Sequence, residues 1–536
     1  MQETEFLKKW GGALLVGIFG ILFLVRVFFG AGSQFLNGDE LELMRSVGDR
    51  FLGVPQTSLA WPATTIQLLL FPIVFLLTAV EIVSVKSADG LSNFLSNYIY
   101  GPEQYTIALR ATLMIAICAV SVQMFRQLKA DEDRSKWIIS IVALCASPIF
   151  VHQSYMIAGD SLAALLMLVC LCKLVSPRVE RTDIIWAAIA FGAAIGCRAT
   201  FVLYIPLILF LIIKSVDGRR NSIQSAVLFG AVALLSIIFF LPAIWMDPIR
   251  LLKSILGNAG REGVDFSFSE RMMTSLVQIG PWTLLAMVWA ILRSSAERRM
   301  FPIVLVIYGS LLLMFINTLG VVYDRYYLMI VPMFAAVFFA VGFLPRKENS
   351  HKSSLILSSL GVGIVLLHVV WIGRLDMRTL DRIGRLDEAL IELPSGTVVW
   401  MDVLFVNSVD MRMFDRESID EAILSVSGGL QGSLSQDKIG APSGRETLGS
   451  PFAFLEDELA MIARLRTVRR GRGDGQLKLK LYGSGIFSER YGVALNPQTT
   501  SSQDVIVSPT KDVFGDEKLR RFESLSEPIY VSGLPE

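Results

Sequence analysis

The sequence predicts a polytopic α-helical membrane protein that ends in a small α/β domain outside the membrane. Three observations carry this prediction. The 536-residue chain is 53% hydrophobic and only 18% charged, whereas soluble proteins carry about 25% charged residues. Many apolar runs reach the ~20 residues that a helix needs to cross a bilayer. After Gly373 these runs stop, and the composition becomes charged and rich in glycine and serine.

Basic residues predict the orientation of the chain. Lys8 and Lys9 precede the first span, so the positive-inside rule places the N-terminus in the cytoplasm. We predict eleven spans, because with this number every short cytoplasmic connection carries basic residues. These spans are residues 10–29, 107–125, 137–155, 161–174, 184–196, 201–213, 223–245, 272–292, 301–320, 326–344 and 355–372.

Residues 62–83 are apolar and long enough to cross, but we do not count them as a span. A crossing there would put the basic residues between 126 and 136 outside the cell, against the charge bias. We predict an interfacial or re-entrant helix instead. Residues 41–52, whose apolar side chains recur at helical spacing, are predicted to form a second, amphipathic helix on the membrane surface.

The composition change divides the chain into residues 1–372, the membrane domain, and residues 373–536, an exterior domain. A helix followed by a Pro-Ser-Gly turn and a β-branched run indicates a small α/β unit. The predicted elements are helices at 379–393 and 454–465 and strands at 397–401 and 477–482.

The net charge, the length of the first apolar run and the positions of the cysteines argue against several kinds of function and of site. The net charge of +1 argues against nucleic-acid binding. The first apolar run is too long for the h-region of a cleavable signal peptide, so we expect it to stay as a span. The cysteines all lie in apolar runs, which favours inert buried thiols over metal ligands or a disulfide framework. They are Cys118, Cys145, Cys170, Cys172 and Cys197.

Asp39 and Glu40 are the first candidates for chemistry. They follow the first span, and two carboxylates beside hydrocarbon are costly unless they face water, a cation or a partner charge. Such a group can act as a general base toward an acceptor or can hold a metal ion. The alternative is a solvated start of an interfacial helix, where acidic residues are favoured. The residues alone do not decide between these two interpretations.

Other charged residues are predicted at the same outer surface. Arg110 opens a span, while Asp160, Arg198 and Arg325 lie at connections between spans. Arginine suits a phosphate, because its planar fork makes paired hydrogen bonds. Each residue also has a structural explanation: Arg110 and Arg325 can snorkel from helix ends, and Asp160 can cap a helix. Arg198 interrupts an apolar stretch, which favours a functional role.

In this order the motifs resemble the GT-C superfamily of membrane glycosyltransferases, in its protein O-mannosyltransferase and aminoarabinose transferase branch. An acidic motif follows the first span, an arginine opens the next one, and a Ser-Pro step leads to a second acidic residue. A glycine-rich span then ends in an arginine. The matching residues are Gly38-Asp39-Glu40, Leu109-Arg110, Ser147-Pro148 before Asp160, Gly192 to Arg198, Pro242 to Asp247-Pro248, and Arg325-Tyr326 with Pro332. The histidine element that this family often carries near position 55 is missing.

The resemblance implies transfer of a sugar, with inversion, from a polyprenyl-phosphate donor. It implies that Asp39, next to Glu40, is the base or orients the acceptor, and that Asp160 supports the acceptor or a cation. It implies that Arg110, Arg198 and Arg325, the last beside Tyr326, bind the donor phosphate. Neither the residues nor the resemblance assign a metal, and a divalent cation stays an open alternative.

The expected partners are a lipid-linked sugar donor, the bilayer, and an acceptor glycan, lipid or protein. Short loops favour a bacterial inner membrane with the C-terminal domain in the periplasm. Two other functions remain open. A transporter or flippase of lipid-linked or small polar substrates would place charges at the midplane within repeats, and no repeat is visible. A non-catalytic assembly or sensor protein would act through its tail.

Overall fold

The computed structural model describes residues 2–29, 64–85, 103–176, 179–216, 218–242, 268–280, 300–318, 324–341, 389–402, 475–482, 505–508, 520–523 and 528–532, with isolated positions between them. The description below concerns these residues alone.

The described part of residues 1–372 is helical throughout. Two 3₁₀ helices, Ala199–Tyr204 (the first) and Asp324–Met329 (the second), interrupt the α-helices. The α-helices are α1 Gln2–Phe29, α2 Thr64–Val85, α3 Glu103–Gln127, α4 Asp131–Cys145, α5 Pro148–Tyr155, α6 Asp160–Leu174, α7 Arg181–Cys197, α8 Ile205–Ser215, α9 Arg219–Phe240, α10 Phe268–Ile279, α11 Met300–Thr318 and α12 Val331–Val341.

Among the described residues, four helices are long and apolar enough to cross a membrane, and five if the bent pair α4–α5 counts as one span. The four are the apolar parts of α1, α3, α9 and α11. They agree with four of the predicted spans. The total of eleven is not tested by the described residues, and the predicted span 355–372 and surface helix 41–52 lie almost wholly outside them.

The centre of the bundle is α6. Thirteen of its fifteen residues are buried, and a helix that is apolar all round belongs in an interior. It packs against α7, which forms an antiparallel hairpin with it, and against α12 and α3. At about 1.5 Å per residue, α6 is only ~22 Å long, so the predicted span 161–174 is a helix shorter than the ~30 Å hydrocarbon core.

Several predicted spans are broken rather than continuous. The 137–155 run bends by 83° between α4 and α5, at Ser147-Pro148, because proline cannot donate the backbone hydrogen bond that would continue the first helix. The 326–344 run divides into the second 3₁₀ helix and α12. The 201–213 run divides into the first 3₁₀ helix and α8, which has Pro206 in its first turn.

In the predicted span 272–292, the described helix ends before the middle of the span. Helix α10 ends at Ile279, and Gly280 takes a φ of +97°, a conformation that glycine adopts readily. An added Cβ there would lie 3.1 Å from Pro148 Cδ. The glycine therefore lets the end of α10 approach the start of α5, where the Ser147 hydroxyl donates to the carbonyl of Gln278 at 3.3 Å.

Charged residues gather where α6 ends and α7 begins. Lys173 Nζ lies 3.0 Å from Asp183 Oδ1, and Glu180 and Asp183 form a reciprocal capping box at the start of α7. On the neighbouring α4, Lys136 pairs with Glu132 at 2.7 Å. These groups mark the end of the bundle that the sequence assigns to the cytoplasm.

The described C-terminal strands form one five-stranded mixed sheet in the order β2-β1-β3-β5-β4. Strand β1 pairs in parallel with β2 and β3, while β5 pairs antiparallel with β3 and β4. The predicted strands 397–401 and 477–482 are confirmed within one residue as β1 and β2. The strands are β1 Val398–Asp402, β2 Lys478–Tyr482, β3 Val505–Ser508, β4 Arg520–Glu523 and β5 Pro528–Ser532.

We predict that Gly192→Ala lowers the melting temperature of the purified protein. A Cβ at Gly192 would lie 2.4 Å from Ser236 Cβ and 3.0 Å from the backbone nitrogen of Ile237, so α7 and α9 must separate. Overpacking of this kind costs about 1–3 kcal/mol. Thermal unfolding in detergent measures the change.

The matched control is Gly230→Ala on α9, where nothing lies within 4 Å of the added Cβ. Alanine is about 1 kcal/mol more favourable than glycine inside a helix, so this variant keeps or raises the melting temperature. Equal shifts in the two variants would contradict the close packing at Gly192.

Candidate functional site

Five helix ends meet at the side of the bundle opposite Lys173. The last turn of α1 carries Arg26, and the first two turns of α3 carry Arg110. Helix α5 ends with Tyr155, α6 begins with Asp160, and α7 is followed directly by Arg198. Because successive helices run in opposite directions, chain positions far apart arrive at one end of the bundle.

Tyr155 holds two arginines together. The guanidinium carbon of Arg110 lies 4.6 Å from the centre of the Tyr155 ring, and that of Arg26 lies 5.2 Å from it. Both arginines are only 1% exposed. A desolvated cation over an aromatic face gains up to about 2 kcal/mol. Three helices, α1, α3 and α5, therefore direct two guanidinium groups to one buried ring.

Asp160 and Arg198 form a buried ion pair a few residues further along the chain. Arg198 Nη1 lies 3.0 Å from Asp160 Oδ1, and the two side chains are 7% and 4% exposed. Asp160 is the first residue of α6, directly after the N-cap Gly159, and Arg198 gives its carboxylate a partner outside its own helix. Arg198 has extended backbone, at φ −154° and ψ 107°, because α7 ends before it.

The ion pair also contacts the second 3₁₀ helix. The Arg198 guanidinium lies 5.0 Å from the centre of the Tyr326 ring. The Tyr204 hydroxyl, at the end of the first 3₁₀ helix, donates to the carbonyl of Met329. The two helix interruptions are thus joined to each other, and Arg325 lies within the second of them.

A hydrogen-bonded group behind Tyr326 fixes the second 3₁₀ helix. The Tyr327 hydroxyl lies 3.0 Å from Asn317 Oδ1 and 3.3 Å from the carbonyl of Arg271. The Asn317 amide in turn donates to the Leu313 carbonyl at 3.0 Å. Helices α10 and α11 therefore determine where Arg325 and Tyr326 lie.

The structure places five of the seven residues that the sequence proposed for the site. Asp160, Arg198 and Tyr326 are in contact, and Arg325 is adjacent to Tyr326 in the chain. Arg110 belongs to a second group, at Tyr155. Asp39 and Glu40 lie outside the described residues, so their predicted place beside these groups stays a prediction, as does the catalytic or phosphate-binding role of all seven.

Arg26 was missed by the sequence analysis. Its signal was present, because it is a charged residue in the apolar stretch Phe23-Leu24-Val25-Arg26-Val27, and charged residues inside a membrane span are functional candidates by default. Tyr155 carried no signal of its own, since one tyrosine in an apolar run is commonplace.

No group of three potential metal ligands among His, Cys, Asp and Glu occurs within the part of the chain that the structure describes. Four of the five cysteines are buried, as predicted for thiols in apolar runs, and Cys118 is partly exposed.

No protein-family model matches the sequence, and no curated protein matches it. Among solved structures, the chain is similar to ArnT from Cupriavidus metallidurans. For the crystal structure bound to undecaprenyl phosphate, identity is 12%, the TM-score is 0.44 and 98% of each chain is covered. For the apo structure, identity is 10%, the TM-score is 0.46, and 97% of this chain and 98% of that chain are covered. Similarity at this level does not establish an activity for this chain.

We predict strong coupling between Asp160 and Arg198. Removing one partner of a buried ion pair leaves an uncompensated charge and costs about 3–5 kcal/mol, so Asp160→Leu or Arg198→Met alone lowers the melting temperature sharply. The double variant removes both charges and recovers most of the loss. A double-mutant cycle by thermal unfolding in detergent measures the coupling.

The exposed pair Lys129–Glu180, at 3.4 Å, is the matched control. Exposed ion pairs contribute about 0–1 kcal/mol, so Lys129→Met and Glu180→Leu should add without coupling. A cycle at Asp160 and Arg198 that is also additive would show that the two side chains do not interact as described.

Proposed function

We propose that this chain is a GT-C-type membrane glycosyltransferase. In this proposal it moves a sugar, with inversion, from a polyprenyl-phosphate donor to an acceptor glycolipid, polysaccharide or protein on the outer face of the membrane. The observation that carries the proposal is the convergence of two buried arginines on Tyr155 at the same end of the bundle as the Asp160–Arg198 pair. The motif order described above supports it.

Arg26 and Arg110 suit the phosphate of the donor. When the sugar leaves, negative charge develops on that phosphate, and fixed guanidinium donors in a water-poor site stabilise it more than water would. Burial of both side chains supplies the low dielectric that strengthens this interaction. Arg325, also proposed for the phosphate, is next to Tyr326 in the second 3₁₀ helix.

The carboxylates have separate roles in the proposal. Asp39, with Glu40, orients or deprotonates the acceptor, since a general base must stand within hydrogen-bond reach of the attacking group. Asp160 supports the acceptor side and offsets the charge of Arg198. A divalent cation beside Asp39 and Glu40 is compatible with this arrangement, because carboxylate oxygens are its preferred ligands.

The proposed topology has eleven spans, with residues 373–536 as an exterior α/β domain of a bacterial inner-membrane protein. Two features of the bundle support the sidedness. Arg26, Arg110, Asp160 and Arg198 occupy one end. The basic residues of the connections α3–α4 and α6–α7, including Lys129 and Lys173, occupy the other, which is the distribution that the positive-inside rule requires.

Turnover tests the activity. The full-length protein in lipid nanodiscs is given a panel of undecaprenyl phosphosugars together with a membrane lipid and glycan extract, and release of undecaprenyl phosphate is measured. Removing one group that stabilises the transition state costs about 10²–10³ in rate. We expect losses of this size for Arg26→Met, Arg110→Met and Asp39→Asn.

The control is Lys129→Met, at the opposite end of the bundle and exposed, which should leave the rate unchanged. Full activity of Asp39→Asn would remove Asp39 from the catalytic role. Saturable movement of the intact donor across liposomes without release of sugar would replace the transferase proposal with a flippase.

Labelling of introduced cysteines tests on which side of the membrane the site lies. In right-side-out vesicles, single cysteines at positions 39 and 325 should both react with a membrane-impermeant maleimide, whereas a cysteine at position 129 should react only after permeabilisation. The native thiols give little background, because four of the five are buried. Reaction of positions 39 and 325 from opposite sides would contradict a shared outer site.

A further inference from the structure

Three buried polar atoms at one corner of the site lack hydrogen bonds within the described part of the chain. They are Gln153 Oε1, Thr200 Oγ1 and Arg198 Nη1, which is ion-paired with Asp160 but not aligned for a hydrogen bond to it. More than about 90% of buried polar groups in native proteins are hydrogen-bonded, and each exception calls for an explanation. Three exceptions on residues adjoining the Asp160–Arg198 pair, Gln153 through Ser161 and Thr200 along the chain, indicate a place where a bound molecule completes the bonding.

The chain brings these atoms to the junction of α5, α6 and α7. The Ser161 hydroxyl donates to the backbone carbonyl of Gln153 at 3.3 Å, which places Gln153 beside the start of α6. Arg198 Nη1 lies 3.0 Å from Asp160 Oδ1, and Thr200 follows Arg198 by two residues, in the first 3₁₀ helix. Gln153 is 5% exposed.

The charge of this corner favours a neutral ligand. Asp160 offsets the charge of Arg198, and its carboxylate would repel a second anion. The corner therefore differs from the Tyr155 group, where two guanidinium groups converge. The groups without a hydrogen bond are an acceptor, Gln153 Oε1, a donor, Arg198 Nη1, and the Thr200 hydroxyl, which can donate and accept.

A sugar matches this set, because each of its hydroxyls can donate one hydrogen bond and accept others. A hydroxyl that donates to the Gln153 amide oxygen can accept from Arg198 Nη1, and a neighbouring hydroxyl can pair with Thr200. Only residues 156–159 separate Tyr155 from Asp160, so a sugar attached to a phosphate at Tyr155 would be held next to this corner.

We infer that Gln153, Asp160, Arg198 and Thr200 form a subsite for the hydroxyls of the transferred sugar. The inference rests on the proposed function and adds to it the part of the site that recognises the sugar. It also moves Arg198 from the phosphate-binding set, which the resemblance implied, and Asp160 from the acceptor side to the sugar-binding set, because the two side chains are paired with each other.

The test compares two ligands that differ only in the sugar. Full-length protein in nanodiscs is titrated with undecaprenyl phosphate and with the panel of undecaprenyl phosphosugars, by native mass spectrometry. We expect Gln153→Met to lower the affinity for the preferred phosphosugar about fivefold to tenfold, the loss of one hydrogen bond. The affinity for undecaprenyl phosphate stays within about twofold. Thr200→Val gives the same pattern.

Thermal unfolding separates this role from a structural one. Methionine at position 153 removes a buried polar atom that lacks a partner, so the melting temperature of the ligand-free protein stays the same or rises. Ser121→Ala is the matched control: its hydroxyl is also buried and without a hydrogen bond among the described residues, but lies on α3 eleven residues beyond Arg110. It should change neither affinity.

The possible results distinguish failure of the subsite from failure of the proposed function. If Gln153→Met weakens both ligands equally and lowers the melting temperature, the residue is structural and the subsite is wrong, while the proposed function stands. If the wild type binds neither undecaprenyl phosphate nor any phosphosugar, the proposed function fails. Free methyl glycosides then decide the subsite: binding that Gln153→Met abolishes supports it, and no binding to the wild type overturns it.

Discussion

The contact between Asp160 and Arg198 joins the two helix ends that the described site is built on. It connects the start of α6, thirteen of whose fifteen residues are buried, to the residue after α7, which packs beside α6. Two opposite charges with less than a tenth of either side chain exposed are stable only together, since burying either one alone would cost several kcal/mol. The relative position of α6 and α7 at this end is therefore narrowly constrained.

The helix interruptions follow from the same constraint. Arg198 is free to reach Asp160 because α7 ends at Cys197 and the chain becomes extended before the first 3₁₀ helix. Tyr204 then binds the end of the second 3₁₀ helix, and Tyr326 of that helix lies against Arg198. A continuous helix through either break would carry these side chains away from the site.

The two groups of charged residues, one at Tyr155 and one at Asp160, have different roles in the proposed reaction. Arg26 and Arg110 at Tyr155 supply positive charge where a leaving phosphate would need it, and the Asp160–Arg198 corner supplies paired charge and unused hydrogen bonds where a neutral sugar would lie. Tyr155 and Asp160 are separated by four residues, 156–159, so one short connection fixes the distance between the two groups. Substrate positioning of this kind is a large part of catalysis when the chemistry itself needs little from the protein.

Composition and charge bias were sufficient to predict a helical membrane protein and the chain positions of α1, α3, α6, α7, α9 and α11. Each of these is a long apolar run bounded by polar residues, which is a local property. Strands β1 and β2 were predictable from other local patterns, a β-branched run after a Pro-Ser-Gly turn and an alternation of apolar and basic residues. The charged candidates Arg110, Asp160 and Arg198 were also visible locally, because each stands out against apolar neighbours.

The partners of these residues were not predictable. The sequence grouped Arg110 with Arg198 and Arg325 as three equivalent phosphate ligands, but the tertiary structure pairs Arg198 with Asp160 and Arg110 with Arg26 on Tyr155. The bend at Pro148, the end of α10 before Gly280 and the two 3₁₀ helices fall inside predicted spans, because apolar composition alone does not mark where a helix ends. Which charges meet depends on the direction and rotation of helices far apart in the chain, and only their packing around α6 decides it.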